Sequence, residues 1–160
     1  MAITEYNWSG EANVNGATTQ ADIYGIFGAY GLDMATRWAV PANTAPTYKA
    51  IQMYRNYDGA DSTFGDTSVS AIAPNVDNLS AFAALRKADG ALTVMVISKV
   101  LTGNTPFTLT LANCAPSGTA KVYRLTSSDV IQALSSLAWS AGTLHDAEPA
   151  QSITLYILPL

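Results

Sequence analysis

Charge is scarce in this chain. Only 12% of its 160 residues are charged, and the balance is acidic, twelve Asp and Glu against eight Lys and Arg. A net charge of −4 leaves no basic face for phosphate, which argues against a nucleic-acid partner. Cysteine is reduced to Cys114, so no intrachain disulfide can form, and this thiol is expected to act as a small core hydrophobe. No apolar run approaches the ~18 residues of a membrane-spanning helix, so no membrane partner is expected. Met1 runs straight into Glu5 with neither a basic start nor an apolar stretch, so these residues do not read as a signal peptide. Metal and cofactor signatures are thin as well. Asp58, Asp61 and Asp66 around Gly59 and Gly65 bring a calcium loop to mind, but their spacing is not that of an EF-hand. Turn chemistry is the expected role, with no metal and no cofactor.

The chain does hold apolar bulk, 49% of its residues, which suits a packed core and not disorder. Its length fits one ordinary domain, or a small domain joined to a piece of another. Two textures divide it. Within residues 1–57, residues 2–5 form a short β-prone run, and a Gly- and Asn-rich loop covers 10–16. Thr18 or Thr19 is expected to cap a helix, with Asp22 in its first turn. Ile23, Ile26, Phe27 and Tyr30 follow at helical spacing, and Gly31 supplies the stop. Gly25 and Gly28 each weaken that helix by about 1 kcal/mol against Ala, so close packing on a sheet must compensate. Residues 32–38 read as a second strand. A second helix follows Pro46 and Thr47, with Tyr48, Ile51, Met53 and Tyr54 as its buried stripe. Strand, helix, strand, helix is a βαβα unit with a parallel pair.

Residues 58–64 form a linker. Residues 65–160 show short strands at near-regular spacing, over 68–73, 79–87, 92–100, 107–111, 120–125 and 153–158, which predicts an antiparallel β-sandwich. Asp89-Gly90 is a strong hairpin signal. The strand over 92–100 is apolar on both faces and therefore central. Residues 127–136 suggest a helical turn around Val130, Ile131 and Leu134. The expected core includes Leu92, Val94, Val96, Phe107, Leu109, Val122, Leu155 and Ile157, and Trp139 is expected in the core or at an edge more than on a binding face.

The stretch with chemical promise is Glu5-Tyr6-Asn7-Trp8. A strand ending in one carboxylate, followed by an aromatic, an amide and a second aromatic, delivers that carboxylate to a rim with flat rings beside it. The C-terminal end of a parallel strand is where α/β barrels keep their chemistry. The second strand again ends in an aromatic, Trp38. The alternative is that Glu5 is a solvated edge residue. His145, the only histidine, sits near a turn and reads as a surface residue.

Five ordered blocks sharpen this reading. They are Ile3-Thr4-Glu5-Tyr6-Asn7-Trp8, Ala21-Asp22-Ile23-Tyr24-Gly25-Ile26-Phe27-Gly28, Met34-Ala35-Thr36-Arg37-Trp38, Met53-Tyr54-Arg55-Asn56-Tyr57-Asp58-Gly59 and Phe64-Gly65-Asp66-Thr67-Ser68-Val69. Together they resemble the end of the catalytic barrel of glycoside hydrolase family 44, whose members are endo-β-1,4-glucanases and xyloglucanases. The resemblance implies a mixed, mainly β fold: two last strand–helix units of a (β/α)8 barrel over 1–57, then most of the appended β-sandwich over 65–160. It implies a retaining glycosidase in which Glu5 is the nucleophile and Trp38 stacks on a glucosyl ring, with Tyr6, Asn7 and Trp8 as further substrate contacts. A β-glucan polysaccharide would be the partner, cofactors would be absent, and the parent enzyme would be secreted. The family's general acid/base glutamate lies on an earlier strand, and nothing here matches its motif. Glu11 is a poor replacement, because nothing in the sequence fixes its separation from Glu5. Two strands of a barrel also leave open edges, which implies a homo-oligomer or association with the missing barrel portion. The competing reading is a non-catalytic glucan-binding or structural β-sandwich module.

Overall fold

The computed structural model describes residues 1–160. Strand β1 (Ala2–Tyr6), helix α1 (Val14–Ala29), strand β2 (Met34–Arg37) and helix α2 (Pro46–Arg55) come first. Eight strands follow: β3 (Thr67–Val69), β4 (Leu79–Leu85), β5 (Leu92–Ser98), β6 (Asn104–Thr110), β7 (Gly118–Leu125), β8 (Gln132–Trp139), β9 (Thr143–Pro149) and β10 (Ser152–Leu158). β1 and β2 form a separate parallel pair. The main sheet is antiparallel in the order β3-β4-β5-β10-β7-β8, and β6 pairs with β9 in a two-stranded ribbon. This is the expected mainly β architecture behind a βαβα fragment.

Two apolar clusters lie on opposite faces of the main sheet. One joins Met95, Ile97, Leu125, Ile153, Leu155 and Ile157 to Ala17, Ala21, Ala50 and Met53 of the two helices. The other joins Leu92, Val94, Val96, Val122, Tyr156 and Leu158 to Leu144 and Trp139, with Phe107 and Leu109 half-buried beside them. β5 and β10 are therefore buried along their whole length, seven residues each, because the helices cover one face and the ribbon the other. That accounts for the apolar residues on both faces of β5 that mark it as central. The segment 58–64 is pinned between these parts. Asp58 accepts the Ala60 and Ser62 amides, and Arg86 donates to the Thr63 carbonyl and the Tyr57 hydroxyl.

Helix α1 begins earlier than expected. Asn13, and not Thr18 or Thr19, caps it by accepting the Gly16 amide at 3.1 Å. Thr18 and Thr19 instead bond back to the Asn15 carbonyl. Asp22 thus lies mid-helix, tying α1 to the sheet through Ser80 at 2.5 Å and Lys99 at 2.8 Å. The helix buries small residues, Ala17, Ala21 and Gly25 at intervals of four, while Ile26 and Tyr30 face water. A side chain on Gly25 would strike the Phe82 ring at 2.1–2.4 Å, so this glycine buys the close approach of helix and sheet. Around Gly28 nothing lies within 4 Å. The two glycines should respond oppositely. Gly25→Ala is expected to destabilise by about 1–3 kcal/mol through overpacking, whereas Gly28→Ala should stabilise by roughly 0.5–1 kcal/mol. Thermal unfolding of the pair checks this, and equal signs would contradict the packing account.

Three further expectations fail for physical reasons. Residues 132–136 belong to strand β8 and not to a helical turn. Between Ala120 and Val122 of β7 the partner positions are Leu137 and Leu134, so β8 carries one extra residue in a bulge. The bulge lets two leucines three residues apart face the same core, which imitates helical spacing. Cys114 is exposed in the turn after β6 and takes no part in the core. β9, absent from the expected strands, is present because its acids turn inward. Glu148 is fully buried, with Ser152, Thr154 and Tyr156 of β10 donating to it, and Asp146 takes hydrogen bonds from Arg124 of β7 and from Tyr156. These contacts fasten the ribbon to the main sheet.

Candidate functional site

The parallel pair sets the rim. Tyr6 lies opposite Arg37, and the Trp38 amide donates to the Tyr6 carbonyl at 2.9 Å just beyond the pairing. Between Ile3 and Tyr6 the register shifts by one residue, a bulge in β1 immediately around Glu5. Bulges beside a site re-aim a side chain. At this end Glu5, Tyr6, Asn7 and Trp38 line one open depression of about 280 Å³. Glu5 and Asn7 are exposed, and Trp38 is 67% exposed. An indole of this kind suits the apolar C–H faces of a sugar.

The remaining candidates sit elsewhere or face elsewhere. Tyr6 touches the depression, but its ring is buried edge-on against Phe27 and its hydroxyl accepts from Gln20. Tyr6 thus lines the depression while its ring is held from beneath the rim. Trp8 is exposed outside the lining of the depression. Glu11 is engaged by Arg37 at 2.5 Å, which anchors a side chain that would otherwise be the spare carboxylate nearest in sequence. His145 is exposed on β9, with Nδ1 2.9 Å from the Thr108 hydroxyl. A larger concavity, about 1040 Å³, opens between the end of α1, β2 and the β3–β4 edge. It is mainly apolar, with Phe27, Met34, Val69 and Phe82 on its walls, and shares no residue with the Glu5 depression.

Sequence reasoning missed the residues that hold the rim in place. Gln20, 1% exposed, donates to the Tyr6 hydroxyl at 3.2 Å and accepts from Arg37 Nε at 3.2 Å. Arg37 also reaches Glu11 and the Ala39 carbonyl. The available signal was strand parity: Arg37 shares a face with Ala35, away from Met34 and Thr36, and an inward arginine requires buried partners.

No protein-family model matches the chain. A bifunctional glucanase–xylanase protein from a metagenome library superposes with a TM-score of 0.96 at 60% identity, over 99% of this chain and 30% of that one. A family 44 xyloglucanase from Paenibacillus polymyxa, solved with xyloglucan, superposes with a TM-score of 0.92 at 28% identity, over 99% of this chain and 32% of its own. Structures named as glycoside hydrolase family 44 enzymes thus match this chain over nearly all of its length at TM-scores above 0.9. Endoglucanase A of Paenibacillus lautus, 33% identical over 135 residues, is matched across 82% of this chain and 19% of the relative. The chain thus spans about a third of the family 44 structures it matches, and less of the curated relative. The match to family 44 structures agrees with the resemblance of the ordered blocks between residues 3 and 69 and with the sandwich that follows them.

Proposed function

We propose that this chain forms part of a retaining glycoside hydrolase acting on β-1,4-glucans such as cellulose, carboxymethylcellulose or xyloglucan. In this reading Glu5 is the nucleophile, Trp38 stacks on a glucosyl ring and Asn7 bonds a sugar hydroxyl. One observation carries the reading: Glu5 and Trp38 share an open depression at the carboxyl ends of a parallel pair. Retaining hydrolysis needs a carboxylate to attack the anomeric carbon and a second carboxyl group, about 5–5.5 Å away, to protonate the leaving oxygen. Glu5 is the only carboxylate lining this depression, and Glu11 is tied to Arg37. The acid/base group therefore comes from outside these residues. The exposed Met34 and Thr36 and the two unpaired strand edges would receive the rest of a barrel or another copy. A polymeric substrate too large to cross a membrane suits a secreted parent enzyme.

The lack of a second carboxylate in the depression favours one other reading, a glucan-binding or structural module without cleavage. Reducing-sugar release and affinity electrophoresis in carboxymethylcellulose and xyloglucan distinguish the two. Hydrolysis by the chain alone should fall about 10²–10⁴-fold below that of a complete family member, the typical worth of general acid assistance. Retardation in the gel should survive Glu5→Gln and disappear with Trp38→Ala. Robust hydrolysis by the purified chain, abolished by Glu5→Gln, would overturn the missing-acid account. Retardation unaffected by Trp38→Ala would remove the depression as the sugar site.

A further inference from the structure

We infer that Arg37 and Gln20 are positioning residues that set the spacing between Glu5 and Trp38, with Glu11 as the outer anchor of the same network. The inference rests on the reading of the Glu5–Trp38 depression as a sugar site.

Glu5 precedes Tyr6, and Trp38 follows Arg37, while Tyr6 and Arg37 are register partners across the parallel pair. Each exposed site residue is therefore one backbone step from a side chain anchored on the helix side. Gln20 of α1 connects those anchors: its amide nitrogen donates to the Tyr6 hydroxyl, and its carbonyl oxygen accepts from Arg37 Nε, both at 3.2 Å. The two strands are thereby referenced to one point on one helix.

Arg37 divides its remaining donors. One terminal nitrogen goes to the Ala39 carbonyl, which bends the chain just past Trp38, and the other to Glu11 at 2.5 Å. Glu11 lies in the loop between β1 and α1, and its own carbonyl accepts the Thr47 amide at the start of α2. Both segments leaving the rim are thus tied to the same guanidinium, whose side chain is 10% exposed. A planar fork with several fixed donors suits this task, and lysine cannot reproduce it. The bulge in β1 makes such bracing necessary, since a bulged strand loses part of the ladder that would fix its register. A two-stranded pair has no further neighbour to restore it. Side chains that meet a ligand keep their geometry only when the residues behind them are locked in turn.

Nuclear magnetic resonance titration of the 160-residue chain with cellohexaose provides the test, because indole shifts report even weak binding. Trp38→Ala assigns the Trp38 indole signal among those of the three tryptophans. In wild type that signal should shift saturably. In Arg37→Met it should move or broaden before any sugar is added, and the apparent Kd should rise about 10–100-fold, the range seen when outer partners of metal ligands are removed. Glu11→Ala should act in the same direction, and Glu11→Gln, which keeps an acceptor for Arg37, should lose less than Glu11→Ala. A purely structural role would lower the melting temperature without this graded response at Trp38. If Arg37→Met fails to fold, Glu11→Ala and Glu11→Gln decide the matter alone. A variant that is folded by circular dichroism, with wild-type Trp38 shift and affinity, would overturn the positioning role. Absence of any sugar-induced shift at Trp38 in wild type would instead remove the sugar site itself.

Discussion

Replacing Arg124 with methionine is expected to destabilise the fold by about 3–5 kcal/mol, the usual cost of removing one partner of a buried ion pair. Arg124 points from β7 into the space between main sheet and ribbon. Its Nε donates to Thr154 at 2.7 Å and its Nη2 to Asp146 at 3.0 Å, with Glu148 3.6 Å away. Burial works against its charge, but Glu148 in its ionised form, Tyr156 and Asp146 outweigh that and hold the guanidinium above its ordinary value. Methionine fills the volume and supplies no donor, leaving two carboxyl groups facing each other across Tyr156. Against a net stability of ~5–15 kcal/mol this is a large fraction. Urea denaturation of Arg124→Met, with Lys121→Met at an exposed position of the same strand as control, measures it. A loss below about 1 kcal/mol would mean that the ribbon is held by its leucines and not by its charges.

The second large effect is one of pH. The Tyr156 hydroxyl lies 2.6 Å from both Asp146 Oδ2 and Glu148 Oε1, yet it has one hydrogen to give. Two such short contacts call for a second hydrogen, and a carboxyl group must carry it. Glu148, with no exposed surface, is that group: burial pushes its value up, and Arg124 directs its hydrogen bonds to Asp146, Thr154 and the Tyr156 hydroxyl while staying 3.6 Å from Glu148. A carboxyl group raised on folding binds more protons in the native than in the unfolded chain. Its stabilising contribution is complete below the unfolded value of about 4.3 and is lost as pH rises through the folded value. Wild-type stability should therefore fall across that window, at most by ~1.4 kcal/mol per pH unit for one whole proton. Glu148→Gln keeps a carbonyl for Thr154 and Ser152 and offers N–H to Tyr156, so it mimics the protonated acid without titrating. Denaturation from pH 4 to 8 should show the difference between wild type and Glu148→Gln shrinking in the wild type's disfavour as pH rises. A difference that does not change with pH would show Glu148 to be ionised throughout.

How much of this was legible beforehand follows from where each residue's partners lie. β5 was plain, because its partners are apolar on both faces and the sequence of the strand states that directly. β8 was hidden by a bulge, since one inserted residue turns a strand's alternation into an apparent helical step at Leu134 and Leu137. β9 was hidden by its acids. Asp146 and Glu148 look like surface residues until Arg124 and Tyr156, 22 and 8 residues away, are brought beside them. At the rim, strand ends and family likeness together pointed to Glu5 and Trp38. The Gln20–Arg37 brace escaped notice because its bonds span 14 and 17 residues and join groups of unremarkable type.

The position of β10 bears on the timing of folding. It is the last strand of the ten, yet it lies between β5 and β7 in the middle of the main sheet. During synthesis, at ~5–20 residues per second, β4–β5 and β7–β8 can close as hairpins, but the gap between them stays open until residue 158 has emerged. Through that interval Val94, Met95, Val122 and Leu125 lack a central partner, and both flanking strands present bare edges. Nascent chains should therefore remain chaperone-accessible and protease-sensitive over β5 and β7 until β10 inserts, and this part of the sheet should lock abruptly on that insertion.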